Sequence, residues 1–191
     1  MLANTTLMGL TFDDAMGLVG GGATLVDLRP VVDYLDVHVP GSLSLEYEVG
    51  PGLASRARDC LPLDVTIVIL DLGAGDPMRA AAALRGKGFD VAGAVQDGLN
   101  RWAERNALAS TETVSSPVAP VGGTILGVGD RGAKDEDADV HIPLEQLWAR
   151  AGELRDRGGI VVAAGYGVRA ALAVGILERA GIDKIAFWTA R

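Results

Sequence analysis

Residues 66–88 read TIVILDLGAGDPMRAAAALRGKG. TIVIL, 66–70, is a continuous β-prone run, the pattern of a strand buried on both faces of a parallel sheet. Gly73 and Gly75 mark a tight loop. Asp76 followed by Pro77 is a helix cap with proline at the first helical position. The Ala-rich segment after it reads as a helix stopped by Gly86 and Gly88. Strand, glycine loop and helix in direct succession form one βα unit.

Working outward, the same alternation continues. Residues 11–19 (TFDDAMGLV) predict a short helix, with Thr11 as N-cap and Asp13 and Asp14 in the first turn, where carboxylates favour the helix dipole. ATLVDLR, 23–29, predicts a buried strand, and Pro30 opens a helical stretch through Tyr34. HVPGS, 38–42, is a turn leading into a short strand SLSL, and ASRARDCL after it has helical character. On the other side, VAGAV predicts a strand and LNRWAERN a helix. Strands alternating with helices argue for an α/β fold with a parallel sheet.

Residues 106–120 (NALASTETVSSPVAP) lose this periodicity and read as a linker. The pattern then restarts. TILGVG at 124–129 echoes TLVDLR at 24–29, HIP at 141–143 echoes HVP at 38–40, and IVVAAGYGVRAALAVGILERAG at 160–181 echoes the opening stretch. Gly88 and Gly181 stand 93 residues apart, as do Asp71 and Ala164. Equal offsets across strand, loop and helix indicate an internal duplication. The last strand is expected at KIAFW.

The chain of 191 residues carries a net charge of −8 with no compensating basic cluster. Nucleic acid and anionic membrane surfaces are therefore poor partners. One cysteine, Cys60, excludes an intramolecular disulfide. No positively charged leader precedes an apolar segment, and no apolar run approaches a spanning helix of about 20 residues. A soluble, cytoplasmic protein is expected.

The segment DLRPVVDYLDVHVPGSLSL resembles the first signature of the rhodanese family, carried here by Asp27, Arg29, Asp33, Tyr34, His38, Pro40, Gly41 and Ser42. LRGKGFDVAGAVQDGLNRW resembles the second signature. Gly98 and Trp102 fit its closing Gly-Gly-x-x-x-Trp, and Asp97 replaces the first glycine. The resemblance covers about residues 10–105. The second half resembles a rhodanese domain less completely: Gly127 and Gly129 stand where the first signature has Asp and Arg, DRGAKDEDAD at 130–139 replaces a short helix, and no closing Gly-Gly-x-x-x-Trp follows. The resemblance implies two rhodanese-like domains, each a small parallel β-sheet flanked by helices on both faces. They would occupy 1–105 and, truncated, 121–191. The pair is similar to the tandem rhodanese region that follows metallo-β-lactamase-fold hydrolases. The hydrolase metal site itself is absent, because two histidines cannot build it.

Rhodanese chemistry, as the resemblance implies, is ping-pong transfer of a sulfane sulfur through a cysteine persulfide. The cysteine stands at the end of the central strand, in a loop whose amides and following helix favour negative charge. Only sulfur can form that intermediate. Counting back from Gly88 and Gly181 puts Asp71 and Ala164 at the two nucleophile positions. No catalytic residue is therefore expected. Asp71 either places its carboxylate near the loop amides or is an exposed strand-end residue without a role. In the second loop Gly165, Tyr166, Gly167, Val168 and Arg169 keep the family spacing, with Arg169 at the family's arginine position. They form either a cradle for sulfate, phosphate or thiosulfate or a leftover strand–helix turn.

The remaining candidates point to structure. Cys60, beside Leu61 and ahead of strand TIVIL, reads as a small core hydrophobe. His38 and His141 sit in turns, and catalytic zinc needs three protein ligands. DEDAD, 135–139, lacks the spacing and glycine of a calcium loop, and Gly20 to Gly22 precede a strand instead of following one, so they form no dinucleotide fingerprint. No metal and no cofactor are expected. The expected function is an inactive rhodanese-like module that binds an unknown protein partner or a small anion. The alternative is an active sulfurtransferase using a non-standard cysteine. Apolar sheet surface left bare by the shortened second half would dock on the first half or on another chain, making a homo-oligomer an expected alternative.

Overall fold

The computed structural model describes residues 6–50, 52–115, 122–129, 138–163 and 167–189. The first sheet is built from β1 (Gly9–Leu10), β2 (Thr24–Asp27), β3 (Leu43–Ser44), β4 (Ile67–Asp71) and β5 (Val91–Gln96) in the order β1-β5-β4-β2-β3. The second is built from β6 (Glu112–Val114), β7 (Thr124–Gly127), β8 (Val140–His141), β9 (Ile160–Ala163) and β10 (Ile185–Trp188) in the order β6-β10-β9-β7-β8. Element for element the two orders are the same. The register repeats as well: Thr24 faces Ile67 across parallel strands in one sheet, as Thr124 faces Ile160 in the other. The duplication inferred from equal offsets is thus present in topology and register.

Helices α1 (Phe12–Gly20), α2 (Val31–Asp36), α3 (Gly52–Cys60), α4 (Pro77–Gly86) and α5 (Gly98–Ala103) alternate with the strands of the first half, α6 (Leu144–Arg150) follows β8 and α7 (Gly167–Arg179) follows β9, and a 3-10 turn, Ala151–Leu154, extends α6. The expected caps form. Thr11 accepts a hydrogen bond from the Asp14 amide at 3.1 Å, and Asp76 accepts from the Arg79 amide at 3.0 Å ahead of Pro77. The two helices after the central strands both close on a glycine at positive φ, Gly88 at 96° and Gly181 at 86°, a conformation only glycine adopts without strain.

The chain forms two compact units that are not continuous in sequence: Met1–Pro30 with Ser44–Leu108, and Val31–Leu43 with Ala109–Arg191. In the first unit the core is the buried β2, β4 and β5, from Leu25 and Val26 to Ile67–Leu70, Val91 and Val95, with Leu84 of α4. In the second, α7 is buried over eight consecutive residues, Ala170–Leu177. A helix that is apolar all round needs cover on all sides. Strands β9 and β10 lie against it, and so do α6 and α2. This explains why Val31–Leu43 groups with the second half of the chain, a placement that reading along the sequence did not anticipate.

The segment read as a linker at 106–120 carries structure in its described part. Glu112–Val114 is β6, an edge strand parallel to β10, and Ala109 forms an antiparallel bridge with His38. Three residues, of which only Thr113 and Val114 are β-prone, are too few for an alternation to show, and the strand is held by its partner and not by its own composition. The same limit hid β1, two residues paired with Ala94 and Val95.

Candidate functional site

Asp71 is the last residue of β4 and is partly buried. The loop after it turns through Gly73 and Gly75, at φ 77° and 73°, and delivers the chain to the Asp76 cap of α4. One carboxylate oxygen of Asp71 accepts the Gly73 amide at 3.3 Å. Tyr47 lies against the loop so closely that a Cβ on Gly75 would stand 2.6 Å from the tyrosine Cβ. Its own amide donates to Leu28 O at 3.0 Å, which ties the segment after β3 to the end of β2.

At the end of β2, Asp27 is fully buried and occupied. It accepts the Arg29 amide at 2.9 Å, and its two oxygens receive Nε at 3.1 Å and a terminal guanidinium nitrogen at 2.7 Å. Both partners are shielded from solvent. The Asp-x-Arg signature is a closed buckle that holds the β2 turn. Trp102, on α5, donates its indole N–H to Ala107 O at 2.8 Å and secures the end of that helix.

Cys60 is 3% exposed at the end of α3, and its thiol donates to Arg56 O at 3.1 Å. The sulfur points at carbonyl oxygens of its own helix, an environment that does not favour a thiolate.

His38, Pro40 and Gly41 fall in the second unit. His38 is fully buried, stacks on Tyr34 with ring centroids 4.1 Å apart, and has Nδ1 2.8 Å from Tyr34 O and Nε2 3.0 Å from Glu178 Oε1. The other Glu178 oxygen accepts the Gly41 amide at 2.6 Å. The turn is therefore clamped onto α7. Pro40, exposed, precedes Gly41 at φ 75°. Beside Gly41, Arg179 packs over Trp148 at 4.9 Å, and burial lowers its pKa. His141, on β8, has its Nε2 buried without a hydrogen-bond partner among the described residues.

In the second loop Ala164, Gly165 and Tyr166 lie outside the described residues, while Gly167 and Val168 open α7. Arg169 follows, and a terminal nitrogen donates to Glu145 Oε1 at 2.8 Å. Glu145, in the first turn of α6, gave no signal in the sequence as a partner for it, because 24 residues separate them. Among the described residues no cluster of three or more His, Cys, Asp or Glu is placed to hold a metal ion, and no helix is long and apolar enough to cross a membrane.

Residues 11–105 match the family model of the rhodanese-like domain. This part of the chain is a rhodanese-like domain. No curated protein matches the chain. Similar solved structures include the BH2092 protein of Bacillus halodurans, with 19% identity over 53% of this chain and 76% of that one and a TM-score of 0.44. A thiosulfate sulfurtransferase of Pseudomonas aeruginosa shows 14% identity over 97% of this chain and 43% of that one, with a TM-score of 0.40. The 3-mercaptopyruvate sulfotransferase SseA of Escherichia coli shows 15% identity over 96% of this chain and 98% of that one, with a TM-score of 0.39. The rhodanese-like domain thus carries Asp71 at the end of β4, and its one thiol is buried in α3.

Proposed function

We propose that the chain is a tandem of two rhodanese-like domains that does not transfer sulfur and serves as an interaction, regulatory or anion-binding module in the cytoplasm. The observation that carries the reading is Asp71 at the end of β4, with its carboxylate on the Gly73 amide. A carboxylate cannot form a persulfide, and placed there it opposes the approach of an anionic sulfur donor. The shared strand order and register of the two sheets support the tandem reading. We read the chain as a diverged relative of the tandem region that follows metallo-β-lactamase-fold hydrolases. An anion-binding role for Gly165, Tyr166, Gly167, Val168 and Arg169 must compete with Glu145, which already neutralises the guanidinium.

A thiosulfate:cyanide assay tests the reading. No thiocyanate above the uncatalysed rate is expected, and Cys60→Ser behaves as the parent. Thiocyanate formation that disappears in Cys60→Ser overturns the reading in favour of an active sulfurtransferase. Thermal shift with thiosulfate and phosphate tests the second loop: any stabilisation has to vanish in Arg169→Ala.

A further inference from the structure

In the first unit a cleft of about 690 Å³ opens between β1, the end of β4 and the starts of α1 and α4. Its size falls within the range of small-molecule sites. The apolar part of its wall includes Leu10, Phe12, Met8 and Met78, and the two methionines are 59% and 54% exposed. Exposed thioethers are soft, adaptable contact surface. Three carboxylates and two guanidiniums also line it, and most are already paired. Arg105 binds Asp13 at 2.5 Å and lies 5.3 Å over the Phe12 ring, Asp76 binds Arg79 at 3.2 Å, and Arg101 is within 3.8 Å of Glu104. Asp71 is the exception. One of its oxygens takes the Gly73 amide, and no cation reaches it among the described residues.

We propose that this cleft binds a small organic monocation, an amine or amidine with an apolar body, whose charge pairs with Asp71 and whose body lies on Met8, Leu10 and Met78. The cleft wall contains an internal precedent: Arg105 is a cation held by one carboxylate and one ring. Asp71 supplies a second carboxylate in a cleft with an apolar wall, and its side chain accepts the Gly73 amide. An anion would meet an excess of one negative charge. This inference does not rest on the chain being catalytically inactive, because an active chain would have the same cleft.

The test is an amide-resolved NMR titration of the full chain with benzamidine, benzamide and benzoate, three probes with the same ring and a positive, neutral or negative head. Benzamidine is expected to bind most tightly of the three and to shift the amides of Met8, Leu10, Asp71 and Gly73. Asp71→Asn keeps an acceptor for the Gly73 amide while removing the charge. It is expected to weaken benzamidine about fivefold, the scale of a partly exposed ion pair, and to leave benzamide unchanged. Benzamide or benzoate binding as tightly as benzamidine overturns the proposal. So do shifts confined to other residues, no binding of benzamidine at millimolar concentration, or unchanged benzamidine binding in Asp71→Asn.

Discussion

His38 Nε2 stands 3.0 Å from one oxygen of Glu178, and the other oxygen of that carboxylate accepts the Gly41 amide at 2.6 Å. One side chain on α7 thus satisfies a fully buried ring and a backbone N–H of the turn that packs on it. Glu178→Ala removes the partner of His38 Nε2 and of the Gly41 amide, while Nδ1 keeps Tyr34 O. A buried polar group left in that state costs about 1–3 kcal/mol. The urea midpoint followed by tryptophan fluorescence is expected to fall accordingly. Glu178→Gln, whose amide oxygen still accepts one of the two bonds, should fall less. Equal midpoints for parent and Glu178→Ala would show that the clamp contributes nothing.

Two helical glycines should respond in opposite directions to the same substitution. Alanine is a better helix former than glycine by about 1 kcal/mol. A Cβ on Gly175 would stand 2.0 Å from Ser42 O and 3.0 Å from the Tyr34 hydroxyl, so the turn and α7 could not keep their approach. Overlap with backbone outweighs propensity, and Gly175→Ala is expected to destabilise by about 1–3 kcal/mol. A Cβ on Gly86 meets nothing within 4 Å. Gly86→Ala is expected to be neutral or to stabilise by up to about 1 kcal/mol. Thermal unfolding of the two variants decides, and a stabilised Gly175→Ala would contradict the close approach.

The reading of TIVIL, the Asp76–Pro77 cap and the terminal glycines translated directly into β4, α4 and Gly88, because each signal is local: an apolar run, a side-chain acceptor, a positive φ. The repeat was legible for the same reason, since offsets between local signals survive divergence. Long-range partners were not legible. Nothing in the residues around Arg169 points to Glu145, nor in those around His38 to Glu178, 140 residues away. Very short strands such as β1 and β6 carry too few residues to show a period, and their pairing comes from β5 and β10. The identity of the residue at the end of β4 could be read from counting. The hydrogen bond of its side chain to the Gly73 amide and the cleft beside it could not.

The caps offer a third check. Asp76 accepts the Arg79 amide at 3.0 Å and is the last residue of the loop before α4. Asp76→Ala removes that acceptor and is expected to cost about 1 kcal/mol. Asp76→Ser, which keeps an oxygen in reach of the amide, should recover most of it. A loss in denaturation midpoint shared equally by both variants would mean that the charge acts on Arg79, 3.2 Å away, and not on the helix end.

Installing a thiol at position 71 and at position 164 compares the two loops electrostatically. Cysteine at position 71 would stand before a loop whose last residue, Asp76, places a carboxylate at the start of α4 and so opposes a second negative charge. Cysteine at position 164 would stand three residues before α7, a helix of 13 residues with no acidic residue in its first turn. Partial positive charge at a helix N-terminus stabilises a thiolate. Arg169 adds less than its charge suggests, because Glu145 binds it. The thiol of Ala164→Cys is therefore expected to titrate below that of Asp71→Cys, and removing the counter-charge with Glu145→Gln should lower it further. Thiolate ultraviolet absorbance against pH, in a Cys60→Ser background, measures all three. Identical titrations at the two positions would remove the electrostatic distinction between the loops, and an unmoved thiol in Glu145→Gln would mean that the 2.8 Å ion pair does not govern the charge at the second one.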